Sequence, residues 1–117
     1  MSKREMIRKL YDYLYTKYFL MHTSKEHYVH FKERCINAQS VACGAIAANL
    51  LPDCEHATQR QIAQAMRMSD STVNDRVHRF DVLLDELSFA ESVRDWWLEA
   101  TALILKEIEE NQKEVKR

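Results

Sequence analysis

Apolar residues recur along this chain at spacings of three and four, the mark of helices with one buried face. Met6, Ile7, Leu10, Tyr11, Leu14, Tyr18 and Met21 draw one stripe along residues 3–21, and Tyr15, Phe19 and Leu20 widen it. A second helix is expected from about Lys25 to Ile36, capped by Ser24, with Tyr28, Phe31, Cys35 and Ile36 inward. The third, Ala38 to Leu51, is apolar or small on nearly every face: Ala38, Ala42, Cys43, Gly44, Ala45, Ala47 and Ala48. A helix without a polar face is a buried one. Small residues let neighbours approach closely, so 38–51 is expected to be the central strut of the fold. Pro52 ends it, and residues 52–57 form a linking loop.

The next stretch, residues 58–80, reads TQRQIAQAMRMSDSTVNDRVHRF. Thr58 and Gln61 have the spacing of a capping box. Ile62, Ala63 and Met66 share a face of the helix that this box opens. Ser69 is a second N-cap, with Asp70 in the first turn, where the helix dipole favours an acid. Val73, Val77 and Phe80 continue at helical spacing. Two short capped helices across a tight turn, with a small Ala63 at their contact and Met68 filling the turn, make a helix-turn-helix. The residue before Met68 takes a left-handed conformation in such turns. Here it is Arg67 rather than glycine, at a cost of roughly 1 kcal/mol.

Leu84 and Leu87 extend the Val73, Val77, Phe80 series, which carries the second motif helix to about Leu87. Ser88 and Glu91 form another capping-box pair. A long last helix then carries Val93, Trp96, Trp97, Ala100, Leu103, Ile104 and Ile108. Trp96 and Trp97 are adjacent and do not both point inward with ease. Together with Leu84 and Leu87 they suggest an interface for a homodimer through the C-terminal helices. The alternative is packing within one subunit. The expected architecture is all-α, about six helices in a single domain over residues 1–112, with a frayed charged tail at 113–117.

The side chains left outside the motif's apolar face can reach base edges and phosphates: Ser71, Thr72, Asn74, Asp75, Arg76, His78 and Arg79. Arg60 and Gln61, early in the first motif helix, are placed to touch the DNA backbone. Charge moderates this picture. The chain of 117 residues has a formal net charge of −1. Residues 1–36 carry eight Lys/Arg against four Asp/Glu, the motif carries four arginines against two aspartates, and residues 81–117 carry five basic against ten acidic side chains. Double-stranded DNA is the expected partner, with affinity that leans on dimerisation or on a second protein of the transcription machinery.

Composition narrows the remaining classes. One Gly and one Pro exclude a glycine-rich phosphate cradle and favour long helices. No catalytic motif is present, so an enzyme is not expected, and no cofactor is implied. The longest apolar and small run, Val41 to Ala48, is too short to span a membrane. The charged N-terminus leads into an amphipathic helix rather than a signal peptide. Three cysteines, Cys35, Cys43 and Cys54, fit a reducing, cytoplasmic setting without a disulfide framework, nucleoid-associated if DNA is bound. His27, His30, Cys54 and His56 could supply zinc ligands. The other reading is scattered surface histidines, favoured because no C-x-x-C pair accompanies them.

The small-residue helix followed by the motif resembles one cyclin-like repeat of the transcription factor B family. The matching residues are Ser40, Val41, Ala42, Ala45, Ile46, Ala47, Thr58, Gln59, Ile62, Ala63, Thr72, Val73 and Arg76. The resemblance covers residues 37–80. It implies a five-helix repeat whose last two helices form a helix-turn-helix that reads promoter DNA. The chain has one such repeat and no N-terminal zinc ribbon, so recruitment of a polymerase through a ribbon is not implied. The expected function is a sequence-specific DNA-binding regulator. The alternative is a protein-interaction module on the same scaffold without direct DNA binding.

Overall fold

The computed structural model describes residues 2–21, 28–48 and 57–115, and side chains at 2–21, 32–48 and 57–111. His22, Ser24, His27, Tyr28, His30, Phe31, Pro52, Cys54 and His56, to which the sequence assigns caps, core positions, a helix end or metal ligands, therefore lie outside the described side chains. Among the described residues the structure is all-helical: α1 (Lys3–Met21), α2 (Tyr28–Ala48), α3 (Gln59–Met66), α4 (Asp70–Leu83) and α5 (Leu87–Val115). No described helix is long and apolar enough to cross a membrane.

The count is five among the described residues, not about six, because the expected second and third helices are one. Nothing between Ile36 and Ala38 breaks the backbone. Ser40 even returns its hydroxyl to the Ile36 carbonyl at 2.8 Å, across the supposed junction. Asn37 turns its side chain to an arginine of α4.

The C-terminal half of α2 is the strut that its composition implies. Ala38, Ser40, Val41, Ala42, Cys43, Ala45 and Ile46 have no exposed surface, and α2 packs on all four other helices. Gly44 marks the closest approach. A Cβ there would overlap the Phe80 ring of α4, which occupies the space a side chain would need. Mid-helix glycine is normally unfavourable by about 1 kcal/mol, and here it admits the largest apolar side chain of α4.

Helix α1 buries Met6, Ile7, Leu10, Tyr11, Leu14 and Tyr18 as its stripe requires, while Leu20 and Met21 stay exposed at its end. Along its flank Tyr11, Tyr15 and Phe19 stack in sequence, and the Arg34 guanidinium lies 4.2 Å from the Phe19 ring centre.

Helix α4 stops at Leu83 rather than Leu87. Leu84, Asp85 and Glu86 close a turn through bonds to Phe80, Val82 and Leu83. Helix α5 begins at Leu87, where Ala90 N–H reaches the Glu86 carbonyl. Ser88 is thus inside the helix, bonded to the Glu86 carboxylate, and does not form the expected box with Glu91. The early stop reverses the chain so that Phe89, Val93 and Trp96 return to the body. Phe89 meets Tyr18 of α1 edge-on at 5.8 Å and Trp96 at 6.4 Å. Lys9 pairs with Glu107, and Glu99 takes Lys17 at 3.2 Å and the Tyr13 hydroxyl at 2.5 Å. These exposed pairs orient α5 on α1 but contribute little stability.

Candidate nucleic-acid interface

A tight turn joins helices α3 and α4, and local chemistry accounts for each end. Thr58 Oγ1 accepts from the Gln61 N–H at 3.1 Å, and Gln61 Oε1 accepts from the Thr58 N–H at 2.9 Å. Both halves of the capping box are present, so two of the orphan donors of α3 are satisfied. Ile62, Ala63 and Ala65 are buried. The helix ends on Arg67, whose φ of 55° and ψ of 45° put it in the left-handed region, the sole non-glycine residue there among those described. Met68 N–H then bonds the Ala63 carbonyl at 2.9 Å, closing the turn as a Schellman-type cap. The Met68 side chain is half-buried below it, with the Tyr11 hydroxyl 4.0 Å from its sulfur.

Ser69 caps α4. Its Oγ accepts from Thr72 N–H at 3.2 Å and shares a hydrogen bond with Thr72 Oγ1 at 2.6 Å. Val73 is fully buried and Phe80 nearly so, which locks α4 against α2 and α3.

This packing divides the nine DNA-facing candidates into groups. Ser71, Asn74, Asp75 and His78 are exposed together on the outer face of α4. His78 holds the Asn74 carbonyl through Nδ1 at 2.8 Å. Thr72 is half-buried and engaged with Ser69. Gln61 is half-buried and spends its side-chain oxygen on the capping box. Arg60 extends into solvent, 77% exposed, with Asp70 across the turn at 3.9 Å.

The two arginines of α4 stand apart from these. Arg76 is 18% exposed and donates from Nε to Gln39 Oε1 of α2 at 3.0 Å and from Nη1 to Asp75 Oδ2 at 2.9 Å. Arg79 donates to Asn37 Oδ1 at 2.5 Å and reaches Glu33 at 3.4 Å. Both lie on the flank that faces α2 and tie the two helices together. Asn37 serves as an acceptor in this clamp. Burial pushes the Cys43 thiol up to about 12, and it holds the Tyr11 phenol well above its usual range. The nearby Arg76 charge acts against both shifts.

The exposed positive charge near the motif lies elsewhere. Arg4 and Arg8 follow one another on the face of α1 that borders α3, where Lys3, Arg4, Ile7, Gln61 and Gln64 line a shallow cavity of about 150 Å³. Arg8 Nε bonds the Ala65 carbonyl at 2.9 Å, satisfying a terminal acceptor of α3. Arg60 of α3 and Arg67 of the turn are exposed as well. Arg4 and Arg8 are not among the residues that the sequence pattern singles out. Their spacing of four residues was a signal, but which neighbour their face would border is a tertiary fact.

The four interface candidates also separate. Trp96 is 8% exposed and belongs to this chain's own core. Trp97 and Leu84 are partly buried against it, whereas Leu87 is 73% exposed. Among the described residues no three His, Cys, Asp or Glu side chains are grouped to hold a metal ion. No protein-family model, curated protein or solved structure matches the chain.

Proposed function

We propose that this protein binds double-stranded DNA through α3 and α4 and acts as a transcriptional regulator inside the cell. The observation that carries this reading is the motif itself. Two capped helices, closed by a left-handed Arg67, present Ser71, Asn74, Asp75 and His78 on one exposed face. The N-terminal half of α4 enters the major groove. Asn74 pairs with an adenine edge, and Ser71 and His78 contact neighbouring bases. Arg4, Arg8, Arg60 and Arg67 meet phosphates and set the register. Arg76 and Arg79 hold α4 in place from behind rather than reading bases. The resemblance of residues 37–80 to a cyclin-like repeat supports the same role, and it adds a protein of the transcription machinery as a second partner.

Selection of duplexes from a random pool, followed by titration of the selected duplex at several salt concentrations, tests this. Four phosphate contacts give a salt slope of about −3.6. Arg60→Ala and Arg67→Ala lower affinity for all duplexes alike and flatten that slope. Asn74→Ala relaxes preference at one base pair. Absence of binding to any duplex at low salt overturns the proposal.

One observation favours a second reading, a protein-interaction module without direct DNA binding. Asp70, Asp75, Asp81 and Asp85 are exposed on α4 and the turn after it, and acids there repel phosphate. In that reading the same face takes a basic partner protein. Capture of a protein that depends on Asp75 and Asp81, with no affinity for DNA, decides for it.

A further inference from the structure

The outer face of α5 carries an apolar stripe that its own chain does not cover. Leu98 and Leu105 are 56% and 49% exposed, with Ala102 exposed between them. At 100° per residue these side chains point away from Val93, Trp96, Ala100 and Ile104, which bury α5 in the body. Arg94 and Glu109, both exposed, terminate the stripe on the same line. The order Arg94, Leu98, Ala102, Leu105, Glu109 is its own complement when reversed. A two-fold axis beside Ala102 sets Leu98 against Leu105 of a second copy, and Leu105 against its Leu98. The same axis sets Arg94 against Glu109 of that copy, twice. At the crossing point Ala102 is small enough for the helices to approach closely.

We propose that a second copy of this chain docks on this face, α5 against α5, antiparallel and in that register. Isologous contacts require a surface complementary to itself, and this stripe meets that condition in both its apolar and its charged positions. A partner lined with one sign of charge would satisfy one end of the stripe and oppose the other. A carboxylate has acceptor capacity for more than one donor, so Glu109 can serve a contact in its own chain and the arginine of the other. Helix α5 packs chiefly on α1 and α2, so the pairing stands whether or not α3 and α4 meet DNA.

Sedimentation equilibrium of the full chain across the micromolar range is the test. The wild-type protein is expected to pass from monomer to dimer with rising concentration. Leu98→Glu abolishes the dimer while leaving helicity unchanged, because the side chain is exposed. Arg94→Glu weakens it by roughly tenfold or more, since two attractive pairs become repulsive. The double variant Arg94→Glu with Glu109→Arg restores wild-type association, a rescue that only the antiparallel register supplies. A monomer at every concentration overturns the proposal, and so does a dimer that is indifferent to Arg94→Glu.

Discussion

Arg67 is the residue at which sequence and backbone disagree most openly. It adopts a left-handed conformation that strains any side chain bearing a Cβ, and the turn leaves it no alternative, because Met68 N–H must reach Ala63. Arg67→Gly should therefore raise stability by about 1 kcal/mol, measured by urea unfolding, while lowering any affinity for DNA that depends on its charge. Cys43 gives a second residue-scale expectation. Its thiol stays protonated in the fold up to about pH 12, whereas an unfolded one ionises near 9. Above pH 9 the unfolded chain thus holds fewer protons than the folded one, and stability falls with rising pH from there to about 12. Tyr11, held high by burial, acts in the same direction. Unfolding free energy followed from pH 8 upward should show this decline, and Cys43→Ala should make it shallower.

Contact between elements is set by α2 and α4. Phe80 fits against α2 only because position 44 lacks a Cβ. Gly44→Ala gains helix propensity on α2 yet should destabilise the protein by about 1–3 kcal/mol through overpacking. A higher thermal midpoint for that variant would show that α4 is free to shift. The caps at Thr58 with Gln61 and at Ser69 were legible from the chain alone, because each is a bond between residues three apart. The same spacing at Ser88 and Glu91 gives no box, because α5 already begins at Leu87. Thr58→Ala should cost about 1 kcal/mol, read as a lower urea midpoint. The merged helix and the early end of α4 were not legible in this way. Asn37 is the acceptor for Arg79 from across the gap to α4, a contact that no spacing within α2 reveals. Leu84 and Leu87 share a periodicity, but the fold needs only Leu84 inside, and the chain turns between them.

For the molecule as a whole, charge placement separates stability from recognition. Arg76 and Arg79 read in sequence as groove contacts, whereas the structure spends them on Gln39, Asn37 and Glu33. Arg76→Gln should lower unfolding free energy by about 1–3 kcal/mol and leave the salt slope of DNA binding unchanged. A variant of undiminished stability and altered base preference would return Arg76 to the groove. The sequence by itself determined the helical class, the buried strut, the two caps, the strained turn and the stripe of α1. Each of these rests on spacing within one segment, where i to i+3 and i to i+4 contacts decide the outcome. Tertiary structure decided which arginines of the motif are spent on α2, which tryptophan is core and where α4 stops. Those depend on what lies across a gap from each helix, and no periodicity within a helix encodes its neighbour's position.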